Sequence, residues 1–326
     1  MSTPRRAFGY AFSIALAVGL LLALWQRQAI LDWWRLQSYT PPPEVVALAT
    51  DTAMTDSARR VFYVNHPELT PNETQFRQDC PIAEQTIVLG CYHGPQSGIF
   101  IYNVSDIRLD GVEQVTAAHE MLHAQYDRLS SDERESIDRV LVSFYESSVT
   151  DERIRKTVDS YRQTEPNDVV NEMHSIFGTE IATLPSELET YYSRYFTDRS
   201  RVVDFSARYE AEFASRLGQI AAMDQQVAQL KQSIESQEKS LTDQLAVLEN
   251  ESSKLDFYQG SGDTETYNSL VPGYNARVQA YNSGVNKLKE DINDYNQLIA
   301  ERNALAVELK GLEQAIDTRL TTQSTE

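Results

Sequence analysis

Three residues in the stretch TAAHEMLHAQYD (residues 116–127) carry the clearest chemical signal in the chain: His119, Glu120 and His123, spaced as H-E-x-x-H. On a helix, positions i and i+4 share a face, so both imidazoles can bind one cation. Glu120 lies beside them and can take a proton from a water held by that cation. Imidazole with carboxylate suits Zn2+, which in hydrolytic sites takes three protein ligands and keeps one position open for water. A chain with five histidines in 326 residues would show this motif by chance only about 0.005 times, so two unrelated helix histidines are the weaker reading.

The third ligand has to come from elsewhere. The segment NDVVNEMHSIFG (residues 167–178) offers Glu172, 49 residues after His123, with His174, Asp168 and the later Glu180 as competitors. Peptide hydrolysis would also need a donor for the oxyanion that develops on the scissile carbonyl. The segment ELETYYSRYFTDR (residues 187–199) supplies Tyr191, Tyr192 and Tyr195, and His174 is a further candidate. Against this, an aromatic stripe on a helix is more often core. His66 and His93, beside Pro67 and Gly94, read as surface or turn residues.

These groups need elements to hold them. Residues 45–110 read as mixed strand and loop, with VFYVNH (61–66), TIVLGCY (86–92) and GIFIYNV (98–104) as strand-like runs rich in β-branched and aromatic residues. After Asp110 the pattern turns helical. Asp110 with Glu113, Ser130 with Glu133 and Ser186 with Glu189 have the spacing of capping boxes. Asn167 or Asp168 opens a short helix, and Gly178 reads as its stop. An upstream strand beside the motif helix is a place where an extended peptide could pair.

The sequence HEMLH followed by a helical N-E-x-x-S segment resembles the gluzincin clan of zinc metallopeptidases. In thermolysin-like members the helix bearing the third ligand reads N-E-x-x-S, matched here by Asn171, Glu172 and Ser175. The resemblance implies that Glu172 is the third zinc ligand and that Asn171 backs a zinc histidine. Asp127, four residues beyond His123, matches a carboxylate of the thermolysin motif. Ile176 stands where thermolysin-like enzymes have an Asp behind the ligands, and no large C-terminal helical domain of their kind follows. The likeness covers little more than the two motif helices and is closer to a minimal, membrane-anchored bacterial gluzincin than to thermolysin.

The N-terminus bears on the compartment. Residues 7–25 carry no charge and follow Arg5 and Arg6, a length near the roughly 20 residues that span a bilayer. The positive-inside rule then leaves the short N-terminus in the cytoplasm and the rest of the chain outside, in a single-pass cell-membrane topology. A cleaved signal peptide is the alternative, and it too places the rest outside. Trp25, Trp33 and Trp34 follow as interface residues, and Pro41, Pro42 and Pro43 as a stiff spacer. An external compartment permits oxidation. Cys80 and Cys91, the two cysteines of the chain, are therefore read as a disulfide, with two buried thiols as the alternative.

From residue 206 the composition shifts again. Apolar residues at steps of four and three run from Phe213 to Leu255 and again from Tyr274 to Leu320. Asp224, Lys231, Glu238 and Ser252 interrupt the first seam, and Arg302 and Glu313 the second. The segment QGSGDTETYNSLVPG (residues 259–273) reads as the turn between two arms. At about 1.5 Å per residue, arms of about 45 residues would each be roughly 65 Å long.

The expected fold is α+β, mostly α: a cytoplasmic stub, transmembrane helix and spacer (1–43), a small zincin-like domain (44–205) and an antiparallel coiled-coil hairpin (206–326). A formal net charge of −19 argues against a nucleic-acid binder, because phosphate backbones would repel the chain. The expected function is hydrolysis of peptide bonds in a peptide or protein substrate with one Zn2+. The alternative is a non-catalytic or latent zinc-binding envelope scaffold that acts on a protein partner, or on a second copy, through its coiled coil.

Overall fold

A computed structural model describes residues 16–21, 26–81 and 87–318. They divide between two compact units, Met1–Glu212 with Gln314–Glu326, and Phe213–Glu313.

The first unit opens with α1 (Arg27–Gln37), α2 (Pro43–Asp51) and α3 (Asp56–Val64). Residues 61–66 are thus not a strand. Thr55 caps α3 by accepting from the Ala58 N–H, and Ala58, Val61 and Phe62 form a buried stripe at helical spacing. That stripe outweighs the β propensity of the run Val61 to Val64. Then follow β1 (Glu68–Thr70), α4 (Glu73–Asp79), β2 (Gly90–His93) and β3 (Gly98–Tyr102). The sheet has the order β1-β3-β2, with β1 parallel and β2 antiparallel to β3, and Cys91 opposite Phe100. Of the strand-like run 86–92, only its end is strand, and residues 82–86 lie outside the described residues. Cys80, at the end of α4, and Cys91, on β2, form the disulfide.

A 3-10 turn (Ile107–Leu109) leads to α5 (Val112–Tyr126), which carries His119, Glu120 and His123. This helix is buried on nearly every side: Val115, Ala117, Ala118, Met121, Leu122 and Ala124 all lie in the core. A helix apolar around most of its circumference must be enclosed, and α5 is the central helix of the unit. Asp110 and Glu113 do not form a capping box. Gly111 is the N-cap, and the Glu113 carboxylate accepts from the Val104 N–H. The remaining helices are α6 (Ser131–Ser147), α7 (Glu152–Thr164), α8 (Val169–Glu180) and α9 (Ser186–Tyr192). Ser130 and Glu133 make the expected capping box on α6. Ser186 and Glu189 do not: Pro185 precedes α9, and Glu189 turns to Arg199 and the Leu184 N–H.

Gly178 does not end its helix; α8 runs through it to Glu180. A Cβ there would stand 2.5 Å from Leu122 Cδ1 and 2.8 Å from a Tyr192 ring carbon. The glycine permits close approach of α8 to α5 and α9.

The second unit holds most of two long helices, α10 (Ser200–Ser261) and α11 (Thr264–Ile316). Arg302 Nε donates to Asp224 Oδ1 at 2.9 Å, Gln237 to Asp291 at 2.6 Å, and Arg277 Nε to Glu251 at 2.6 Å. In these pairs one number rises as the other falls, so the two helices form an antiparallel hairpin. Its turn is not the whole of residues 259–273 but Gly262 and Asp263, with Gly262 at φ +79. Pro272 lies inside α11, flanked by Leu270 and Tyr274, which border a small hollow with Leu255 of the other arm. The second unit stops at Glu313; Thr318 belongs to the first, where its hydroxyl donates to the Val88 carbonyl at 2.6 Å.

Of the uncharged run 7–25, residues 7–15 and 22–25 lie outside the described residues, while 16–21 are helical with exposed side chains. Among the described residues no helix is long and apolar enough to cross a membrane.

Candidate metal centre

Helical spacing on α5 sets the first half of the site. His119 and His123 stand one turn apart with ring centroids 4.7 Å from each other. Packing of α8 against α5 supplies the second half. Glu172 Oε2 lies 3.5 Å from His119 Nε2, and Glu172 Oε1 lies 3.4 Å from His123 Nε2. One ligand atom from each residue falls within 4.8 Å of the others.

These separations exceed the usual N–H···O range of about 2.7–3.2 Å. Two ligands, each about 2.1 Å from one tetrahedral cation, stand about 3.4 Å apart. Glu172 is 6% exposed, and its Oε2 has no hydrogen bond. A buried carboxylate oxygen without a donor is costly, and a cation held between it and the two imidazoles would remove that cost. The donor set and its spacing therefore fit a Zn2+ ion.

Burial disfavours charge on His119, but the adjacent Glu172 carboxylate, with the charges of Glu120 and Glu180, outweighs it and holds the ring up at about 9. Burial likewise pushes Glu172 up, yet His123 and His119 bring its carboxyl below the usual range. Glu120 goes the other way: burial raises it, against the pull of His123 and His119.

Glu120 lies against β2. A Cβ on Gly90 would come within 2.5 Å of Thr116 Cγ2 and 2.8 Å of Glu120 Oε1, so the close contact of strand and helix requires glycine here. The three motif residues open on a cleft of about 170 Å3. One wall is Val88, Gly90, Cys91 and Tyr92; the other is Tyr161, Glu165, Asp168 and Asn171. Glu165, Asp168 and Glu172 each bring an oxygen within 4.8 Å of the others.

Asn171 is buried, donates to both Asp168 oxygens at 3.2 Å, and keeps its own Oδ1 without a donor. Asp127 is the C-cap of α5, beside Gly94 and 4.0 Å from Arg134, and it draws the Tyr92 hydroxyl. It does not line the cleft.

None of the four expected oxyanion donors lines the cleft either. The His174 ring stands 2.9 Å from the Tyr191 hydroxyl, which accepts from Tyr195 at 3.1 Å, while Tyr192 donates to the His174 carbonyl at 2.7 Å. Buried in this aromatic cluster, the His174 imidazole is held well below its usual range by desolvation and by His123 and His119. The cleft offers Tyr161 instead, whose hydroxyl reaches Glu172. No sequence signal marks Tyr161 or Glu165, because α7 has no motif and only its packing on α8 brings them in.

His66 sits at φ +48 and stacks on Tyr39, in keeping with a turn. His93 ends β2 and contacts the Asp79 carbonyl at 2.6 Å. Comparison with family models, with curated proteins and with solved structures found no match to this chain.

Proposed function

We propose that this chain is a membrane-anchored zinc metallopeptidase of gluzincin type, held by residues 7–25 with its folded units outside the cytoplasm. The observation that carries the reading is the placement of Glu172 at 3.5 and 3.4 Å from two histidines one helical turn apart. His119, His123 and Glu172 would hold the ion. When bound, it would supply Lewis acidity toward water and toward a peptide carbonyl.

The chain's own groups do the rest. Glu120, raised by burial, accepts a proton from water in the cleft and delivers it to the departing amine. Tyr161 lines the cleft with its hydroxyl at Glu172 and would serve as the donor to the carbonyl oxygen. β2 is an edge strand whose Gly90, Cys91 and Tyr92 line the cleft, so an extended peptide can add alongside it. Asn171 fixes Asp168 and steadies the wall that bears Glu172.

A latent, non-hydrolytic zinc protein is the second reading. The observation favouring it is the cleft volume of about 170 Å3, below the roughly 300–1,000 Å3 of most ligand sites. Purified full-length protein in detergent, assayed for zinc and against a mixed peptide library, tests both. The expected result is about one zinc per chain, cleavage by the natural chain, and zinc without cleavage for Glu120→Gln. Equal inactivity of both with zinc retained would establish the latent reading, and absence of zinc from the natural chain would overturn both.

A further inference from the structure

Helix α1 is built inside out. Asp32 and Arg35 face the protein. Asp32 is 5% exposed and accepts both guanidinium nitrogens of Arg128 at 2.8 and 3.0 Å, with further bonds from Gln28 and Gln96. Arg35 Nε donates to the Val64 carbonyl at 2.9 Å, and just after the helix the Tyr39 hydroxyl donates to the Pro67 carbonyl at 2.7 Å. Four large apolar residues face away. Trp33 is 59% and Trp34 67% exposed, and Ile30 and Leu31, one turn earlier, are also exposed. At about 3.6 residues per turn these four side chains make one stripe, the reverse of a helix that packs its apolar face on a core.

An uncovered stripe alone names no occupant, but its position in the chain does. The uncharged run ends at Trp25, two residues before α1 begins, and its described residues Leu16, Val18, Leu20 and Leu21 are exposed too. An apolar stripe that follows such a run so closely in sequence, bearing two adjacent indoles, has the composition of a membrane–water boundary, where Trp sits with its ring in the acyl region and its N–H toward water. Exposed Arg27 at the start of the helix can meet lipid phosphates.

We infer that the apolar stripe of α1 (Ile30, Leu31, Trp33 and Trp34) lies in the lipid headgroup–acyl boundary, holding the first folded unit against the bilayer. This rests on the anchor reading for residues 7–25 and extends it. Arg128 lies five residues beyond His123, so the half-buried Asp32–Arg128 pair ties α1 to the end of the metal-site helix. The unit would then be held in a fixed orientation rather than hung on a loose tether.

The three tryptophans of the chain, Trp25, Trp33 and Trp34, allow a direct test. The full chain is reconstituted in phosphatidylcholine vesicles carrying bromine at defined acyl depths. Trp25→Phe leaves only the α1 pair as reporters, and Trp33→Phe with Trp34→Phe leaves only Trp25. The expected result for the α1 pair is blue-shifted emission, protection from aqueous iodide, and quenching strongest by bromine about 5–10 Å below the headgroups. Quenching of Trp25 by bromolipid, with the α1 pair open to iodide alone, would overturn the inference and leave the anchor standing. Absence of bromolipid quenching in both variants would overturn the inference and the anchor together. An α1 pair shielded from iodide and from bromolipid alike would show the stripe covered by protein, a second copy first in line, and would also overturn it.

Discussion

Glu172 Oε1 lies 3.4 Å from His123 Nε2, beyond a good hydrogen bond and at the spacing of two ligands on one small cation. The ion would tie α8 to α5, so its binding energy would be folding energy. Chelation should lower the melting temperature of the natural chain by on the order of 10 °C. The Glu172→Ala chain should start near that lowered value and respond little to chelator. Differential scanning fluorimetry with zinc analysis checks this, and equal chelator sensitivity in both chains would contradict it.

Gly90 keeps β2 in contact with Glu120. A methyl group there must displace Thr116 or the Glu120 carboxylate, at 2.5 and 2.8 Å. Gly90→Ala should therefore keep zinc near one per chain while peptide cleavage falls by roughly 10–100-fold, the scale expected when a proton carrier is misplaced by about 1 Å. Full activity in Gly90→Ala would show that Glu120 can move without penalty.

The placement of His119 and His123 on one face was legible because i, i+4 spacing is fixed by the helix alone; Glu172 was one of several candidates, and the packing of α8 on α5 is what brings it to them. What the sequence hid depends on packing between distant segments. Tyr161 and Glu165 enter the cleft only because α7 lies on α8. Gly178 has the look of a helix stop, and only the approach of Leu122 and Tyr192 reveals its use. The run Val61 to Val64 favours a strand locally, but Ala58, one turn earlier, completes a buried helical face. Two of the seam-breaking charges, Asp224 and Arg302, answer each other across the hairpin, a pairing visible only once the antiparallel register is known.

That pairing makes the hairpin testable. Asp224 and Arg302 are partly exposed, so the pair adds only a little stability to the register it favours, whereas like charges at that place would oppose it. Arg302→Asp should set two like charges against each other and lower the helical melting temperature of the chain. Adding Asp224→Arg should restore it, since the pair is then reversed but intact. Circular dichroism of the two single variants and the double gives the cycle; additive losses would show that the residues do not meet.

Glu189 gives a pH prediction. Two hydrogen bonds from Arg199, which is 8% exposed, lower its carboxyl below the usual 4.5. A carboxyl depressed in the folded state stabilises the fold above its unfolded value, and that stability is lost as pH falls through the folded value. The natural chain should therefore lose stability as pH drops below about 4.5. Glu189→Gln should be less stable at neutral pH and show a flatter acid profile. Parallel urea titrations at neutral pH and in acid below that value check the sign, and identical profiles for the two chains would contradict it.

Two glycines in helix interiors should respond in opposite directions to the same substitution. Gly178 on α8 faces Leu122 and Tyr192, with 2.5 and 2.8 Å to an added Cβ, and both neighbours are fully buried. The fit can be restored only by moving core side chains or by sliding α8, the helix that also carries Glu172. Gly178→Ala should cost about 1–3 kcal/mol, the usual range for overpacking, and weaken zinc binding as the Glu172 carboxylate shifts. Gly218 on α10 has no atom within 4 Å of its added Cβ, so Gly218→Ala gains helix propensity without collision and should stabilise by about 0.5–1 kcal/mol. Denaturation of both variants with zinc analysis separates the cases. A neutral Gly178→Ala would show that α8 can yield at Leu122, and that close packing is not what places a glycine in the interior of this helix.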